Sequence, residues 1–281
     1  MTRAHNIPVL MYHHVNASPS SLTVTADNFE QQIKALAENG YQSVGSHELA
    51  AFFNGQPLDK KSVLITFDDG YLDNWVYAHP VLERYGFKAI LFVVSGLIGE
   101  GDVRPYLGQG LQPPHCPNHH DAKTQMFGPD PDQVMLRWSE IEAMLSANTF
   151  EIHSHTHTHT RWDKVCNNPQ DKFNKFYDDL EKSRETLDAR IGQTSSHLCW
   201  PQGYFDDDYL QAARQLGFKH LYTTDARGQN TASSNPEYIY RFAVRNRRGN
   251  WLRQRIWLAS HRYWGPLYNN WKTRSDDKKR K

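Results

Sequence analysis

The residues best able to do chemistry fall in two short stretches. Glu151 to Thr160 reads EIHSHTHTHT, with histidines at 153, 155, 157 and 159. On a strand all four would share a face, yet at about 3.3 Å per residue the outer two would stand roughly 20 Å apart. One ion cannot use them all, because zinc needs imidazole nitrogens at about 2.0–2.1 Å. If the strand ends near Ser154 and the chain then coils into a helical turn, His155 and His159 become an i,i+4 pair on one face, and His153 and His157 point elsewhere. A third ligand must come from another part of the chain.

The second stretch supplies one. SVLITFDDGYLDN at 62–74 places Asp68 and Asp69 just past a buried-type strand, followed by Gly70, which permits a tight turn. A lone aspartate there would read as a helix cap. Two in succession can divide labour, one as an anionic metal ligand and the other as a base. Two imidazoles and one carboxylate leave coordination open for water and substrate. Zinc suits this set, and cobalt or nickel fit the same mixed nitrogen and oxygen ligands.

Those side chains need a scaffold that brings distant segments to one place. Apolar runs at 7–12, 41–44, 62–67, 88–94, 150–152, 196–200, 220–224 and 238–244 read as strands. Amphipathic stretches of helical length lie between most of them, among them NFEQQIKALAENG and DKFNKFYDDLEKSRETLDARIG, several ending on Gly as helices often do. Alternation of this kind predicts a parallel sheet and a distorted, TIM-barrel-like (β/α) barrel of about seven strands in a single domain, with an open doubly wound sheet as the alternative. In a barrel the strand C-terminal ends carry the chemistry, and both stretches begin at such ends. Residues 95–134, rich in Gly and Pro, break the rhythm and predict a long loop. HCPNHH at 115–120 within it lacks a paired CxxC-like half, so a second zinc site is disfavoured and a substrate-covering loop with incidental histidines is expected.

Bulk properties exclude several classes. Against 31 Asp+Glu, 32 Lys+Arg leave a net charge of +1, which offers no global field to recruit nucleic acid. Cys116, Cys166 and Cys199 form no CxxC pair, which argues against a disulfide framework and for a reducing compartment. The N-terminal MTRAHNIPVLMYHHV carries no signal-like apolar core, and no run of 18 apolar residues occurs. The expectation is a cytoplasmic protein.

With TFDDG at 66–70 and HTHTH at 155–159, the sequence resembles the NodB-type polysaccharide deacetylases of carbohydrate esterase family 4, which use TFDDG and H-[ST]-x-x-H. CWPQGYFDDDYLQAARQLGFKHLYTT at 199–224 is similar to that family's third motif region, and the resemblance covers roughly residues 7–245. It implies de-N-acetylation of an N-acetylated amino sugar in a bacterial surface glycan or a lipid-linked or lipopolysaccharide precursor, with one divalent ion held by Asp69, His155 and His159. Asp68 becomes the general base, and the backbone N–H of Gln202 helps stabilise the oxyanion. Pro201, Gly203, Tyr204 and Trp138 become candidates for substrate contact. The family often has Arg two residues before the motif's Pro, where this chain has Cys199; Arg241, in YIYRFAV, is the candidate to brace the base instead. For the proton donor, His13 or His14 at the end of the first strand would face the same mouth, and the resemblance to members with a similar YH strand makes His13 the site candidate, ahead of His261 in WLASHRY.

Residues 1–248 thus form the expected catalytic domain and 249–281 a basic, aromatic C-terminal helix and tail. Leu252, Ile256, Ala259 and Tyr263 fall on one helical stripe. Trp251, Trp257 and Trp264 lie off it, and with the flanking Arg and Lys they suggest peripheral contact with an anionic membrane. The rival reading from another class is a catalytically inactive carbohydrate-binding protein on the same fold.

Overall fold

The computed structural model describes residues 3–18, 20–192 and 194–270. Residues 271–281, part of the tail on which the membrane expectation rests, lie outside them. The strands are β1 (Val9–Tyr12), β2 (His14–Asn16), β3 (Thr23–Thr25), β4 (Gln42–Ser43), β5 (Ser62–Asp69), β6 (Ala89–Val93), β7 (Phe150–Ser154), β8 (His197–Cys199), β9 (His220–Tyr222) and β10 (Phe242–Ala243). Between and after them run α1 (Ala26–Glu38), α2 (Ser46–Phe53), α3 (His79–Tyr85), α4 (His119–Met126), α5 (Trp138–Ser146), α6 (Trp162–Val165), α7 (Pro169–Ile191), α8 (Asp207–Gln215) and α9 (Gly249–Ser260).

Seven strands form one parallel path in the order β10-β1-β5-β6-β7-β8-β9, with β4 beside β5. The expected barrel is what forms. Its two end strands approach through one segment: Ile239 bridges to Tyr222 of β9, and Phe242, three residues on, pairs with Leu10 of β1. Every residue of β5 is buried, as a parallel strand covered on both faces requires. Alternation splits the core. Val9, Leu64, Ile90, Phe92, Cys199 and Tyr222 cluster inside the curve with Leu49 and Phe52 of α2. Leu10, Ile65, Phe67 and Leu91 pack outward with Phe29 and Ile33 of α1 and Ile141 of α5.

One element was not foreseen and one expectation needs correction. His14–Asn16 and Thr23–Thr25 pair as a separate two-stranded sheet, too short and polar to show periodicity. The stretch 95–134 is not structureless: it contains α4, capped by the Asn118 side chain, and buried Glu140 ties it down through two bonds from the Arg104 guanidinium at 2.7 and 2.8 Å. At the C-terminus the stripe holds for its first half. Leu252 and Ile256 are fully buried on α9, while Tyr263 is 66% exposed because the helix ends at Ser260. Among the described residues no helix is long and apolar enough to cross a membrane.

Candidate active site

β5 carries Asp68 inward, on the same face as Leu64 and Thr66. Alternation alone would send Asp69 outward. The backbone prevents this: Asp69 has φ 77° and Gly70 comes next at φ 90°, so the chain turns sharply at the strand end and both carboxylates reach the mouth. A left-handed aspartate costs roughly 1–3 kcal/mol, the kind of strain that collects at functional sites. Asp68 and Asp69 are 2% and 6% exposed.

The histidine-rich stretch is sorted by its own threonines. β7 ends at Ser154 as expected, but the residues after it form an irregular loop, not a helical turn, with Thr156 and His159 at φ 66° and 59°. The Asp179 carboxylate on α7 gathers this loop by accepting from the backbone N–H of His157 and of Thr158, the Thr158 hydroxyl and the Trp162 indole. His153 is directed to Ser195 Oγ and His157 to Ser95 Oγ. His155 and His159 converge instead, with Nε2 atoms 3.3 and 3.5 Å from Asp69 Oδ1.

The ligating atoms of Asp69, His155 and His159 all lie within 4.8 Å of one another. The hydrogen bonds decide whether this set fits a cation. His155 Nδ1 lies 2.8 Å from the Cys199 carbonyl, which can only accept, so one hydrogen sits on Nδ1 and Nε2 is the atom turned to the carboxylate. Burial opposes a charge on the ring, but Cys199 and Asp69 raise its pKa well above the ordinary value, so without an ion Nε2 holds a proton toward Asp69. That proton marks a place where positive charge is favoured between an imidazole nitrogen and a carboxylate. A divalent ion that displaced it would find Asp69, His155 and His159 already converging, so the donor set fits such an ion. A second grouping of Asp68, His155 and Cys199 is equally compact, but Arg241 already occupies both Asp68 oxygens. Burial pulls the His159 pKa down to about 4, against the charge of Asp69, which keeps the ring a neutral donor. Burial alone would raise Asp69, but the hydrogen bond from His155 and the neighbouring imidazoles of His159 and His13 hold its carboxyl well below the usual range.

Arg241, 1% exposed, donates to Asp68 Oδ1 at 2.7 Å and to Oδ2 at 2.9 Å. Its Nη2 also lies 2.9 Å from Cys199 Sγ, so the small thiol leaves room for a guanidinium arriving from another strand. Burial opposes ionisation of Asp68, and the Arg241 and His13 charges outweigh it. His13 Nε2 is 3.8 Å from Asp68 Oδ2. Gln202 sits in the left-handed region at φ 55° on a turn whose next residue must be glycine: a Cβ on Gly203 would come 2.2 Å from Thr224 Oγ1.

A cleft of about 380 Å³ unites His13, Asp68, Asp69, His155, His159, Gln202 and Gly203. Pro201 and Tyr204 do not line it; the Tyr204 ring packs under the Arg161 guanidinium at 3.8 Å. Trp138 is corrected outright. It starts α5 and is buried in the outer core beneath the helices, away from the mouth. His261, which caps α9, is also absent from the cleft. Sequence reasoning missed Tyr71, Trp200, Thr224 and above all His119, which do line it; the one available signal for His119 was the HCPNHH run. A similar cavity of about 420 Å³ between Tyr41, Lys61, Arg253 and Trp257 holds no carboxylate or imidazole, so the chemistry belongs to the mouth.

Residues 55–221 match the polysaccharide deacetylase family. Bacillus subtilis YxkH, whose name places it among polysaccharide deacetylases, is 29% identical over 220 residues, covering 78% of this chain and 64% of the relative's length. A Staphylococcus aureus poly-β-1,6-N-acetyl-D-glucosamine N-deacetylase is 25% identical over 229 residues, 79% of this chain and 68% of its own. Among solved structures, the deacetylase PplD of Streptococcus pyogenes superposes with a TM-score of 0.70 at 23% identity over 90% of this chain and 99% of that one. IcaB of Ammonifex degensii gives 0.69 at 22% identity over 94% and 99%. These two show a shared fold.

Proposed function

The chain belongs to the polysaccharide deacetylase family, whose members are amide hydrolases, and from that membership we propose that it removes acetyl groups from N-acetylated amino sugars of a glycan. The observation that carries the reading is the pairing at the end of β5: one carboxylate aimed at two imidazoles, its neighbour clamped by a buried guanidinium. Asp69, His155 and His159 would hold a divalent ion, zinc by preference. A bound ion would supply Lewis acidity, lowering the pKa of water and polarising the acetamide carbonyl.

The chain's own groups do the rest. Asp68 takes the proton of the attacking water, and Arg241 keeps it ionised and fixes its direction. The Gln202 N–H donates to the tetrahedral oxyanion, where a preorganised donor is worth about 2.7–4 kcal/mol. His13, beside Asp68, gives a proton to the departing amine. The Staphylococcus aureus relative favours N-acetylglucosamine polymers as the substrate class.

An inactive carbohydrate-binding protein would have no need of a clamped base. The deciding experiment supplies zinc, cobalt or nickel to purified protein with β-linked N-acetylglucosamine oligomers and measures acetate release. We expect release that the Asp68→Asn variant lacks. Sugar binding without release under any metal would move the chain to the inactive reading.

A further inference from the structure

One buried polar chain has no part in the deacetylation steps. Asp73, 3% exposed, accepts from His14 Nδ1 at 2.7 Å and from Asn16 Nδ2 at 3.0 Å, and Asn74 Nδ2 donates to its other oxygen at 3.0 Å. His14, 1% exposed, lies with its ring 4.0 Å from that of Tyr71. Its remaining nitrogen, Nε2, stands 3.1 Å from His119 Nδ1, and His119 lines the same cleft as Asp69, His155 and His159.

The partners fix the hydrogens. A carboxylate only accepts, so His14 Nδ1 carries one hydrogen, and a second lies between His14 Nε2 and His119 Nδ1. In either protonation state of His14, the nitrogen of His119 left for the cleft is Nε2. Anchorage does not require this arrangement. The segment is already tied down by Asn16 Nδ2 bonding the Pro117 carbonyl at 3.1 Å and by the Asn118 cap of α4. Burying a carboxylate behind two imidazoles is costly compared with apolar packing, so a strut alone would not favour it. The same helix brings Lys123 and Phe127 to the cleft, and the Phe127 ring, 55% exposed, lies 6.5 Å from that of His159.

Building on the deacetylase reading, we propose that Asp73 and His14 are positioning residues that hold His119 at the mouth, where its Nε2 contacts a hydroxyl or acetamido group of the bound amino sugar. Phe127 offers an apolar face to the same pyranose, so the insertion 95–134 builds one wall of the sugar site.

The test combines kinetics with imidazole nitrogen NMR on the metal-loaded full chain, using a β-linked N-acetylglucosamine tetramer as probe. We expect His119→Ala to lower kcat/KM about tenfold, mainly through KM, as loss of one sugar hydrogen bond predicts. Metal content should stay at the wild-type level, His119→Gln should recover part of the loss, and Asp73→Asn should alter the His119 tautomer balance. Thr124→Ala, on the exposed side of α4, should change nothing. Wild-type KM and kcat/KM in His119→Ala would overturn the proposal. If the wild-type protein releases no acetate, the deacetylase reading fails and the spectrum decides: a tetramer-induced shift of His119 Nε2 upholds the sugar contact, and an unmoved resonance refutes it.

Discussion

At the barrel mouth, His155 and His159 turn their Nε2 atoms onto Asp69 at 3.3 and 3.5 Å. At the N-terminal ends of β8 and β9, His197 and His220 stack 4.3 Å apart, with His153 4.7 Å from His197. The nearest carboxylate there, Glu151, lies 3.8 Å from His153 and is paired with Lys88 at 3.1 Å. Burial pulls His197 well below the ordinary imidazole range and His220 to about 4. The same side chain, equally clustered, is in one place a converging donor set and in the other a neutral packing element. Ring nitrogens converging on one carboxylate make the difference, not the number of histidines.

The largest effect should come from breaking the mouth set. His155→Ala is expected to abolish both metal retention and acetate release, costing more than the roughly 10–100-fold that loss of an outer-shell partner costs; elemental analysis after dialysis checks it. Next comes the clamp: Arg241→Met leaves Asp68 as an unpaired buried charge, and denaturant unfolding should lose about 3–5 kcal/mol. The stacked cluster should answer to acid. The folded-state pKa values of His197 and His220 lie below the unfolded value of about 6.5, so their contribution to stability is present above that pH and is lost as pH falls toward about 4, where the unfolded chain takes the proton first. Thermal melts across that window should show the fall, and His220→Phe, stacked between Phe53 and His197, should flatten it. The smallest effect belongs to His157→Ala. It should cost no metal and only the bond to Ser95, about 0.5–1.5 kcal/mol.

The barrel was legible because its strands are unbroken apolar runs and its helices are amphipathic; each expected strand has its counterpart in the fold. The pairing of His155 with His159 was legible from spacing, though for a geometric reason that does not hold. They meet through two left-handed residues and the Asp179 anchor on α7, and no local period encodes either. Trp138 misled because an aromatic at a helix start reads the same whether it faces sugar or core. His119 was hidden because its partners, His14 and Asp73, are 105 and 46 positions away in the chain. Sequence order shows strand ends well and the closing of loops over them poorly.

The division of labour between the adjacent aspartates is the central claim, and one paired measurement tests it. Asp68→Asn and Asp69→Asn would be purified side by side, with circular dichroism to check the fold, and each assayed for bound metal per chain and for acetate release from N-acetylglucosamine oligomers. Asp68→Asn should keep its ion and lose turnover by about 10²–10⁴-fold, the usual worth of a general base, whereas Asp69→Asn should lose the ion itself. Equal metal loss in both variants, or full turnover in Asp68→Asn, would contradict the account.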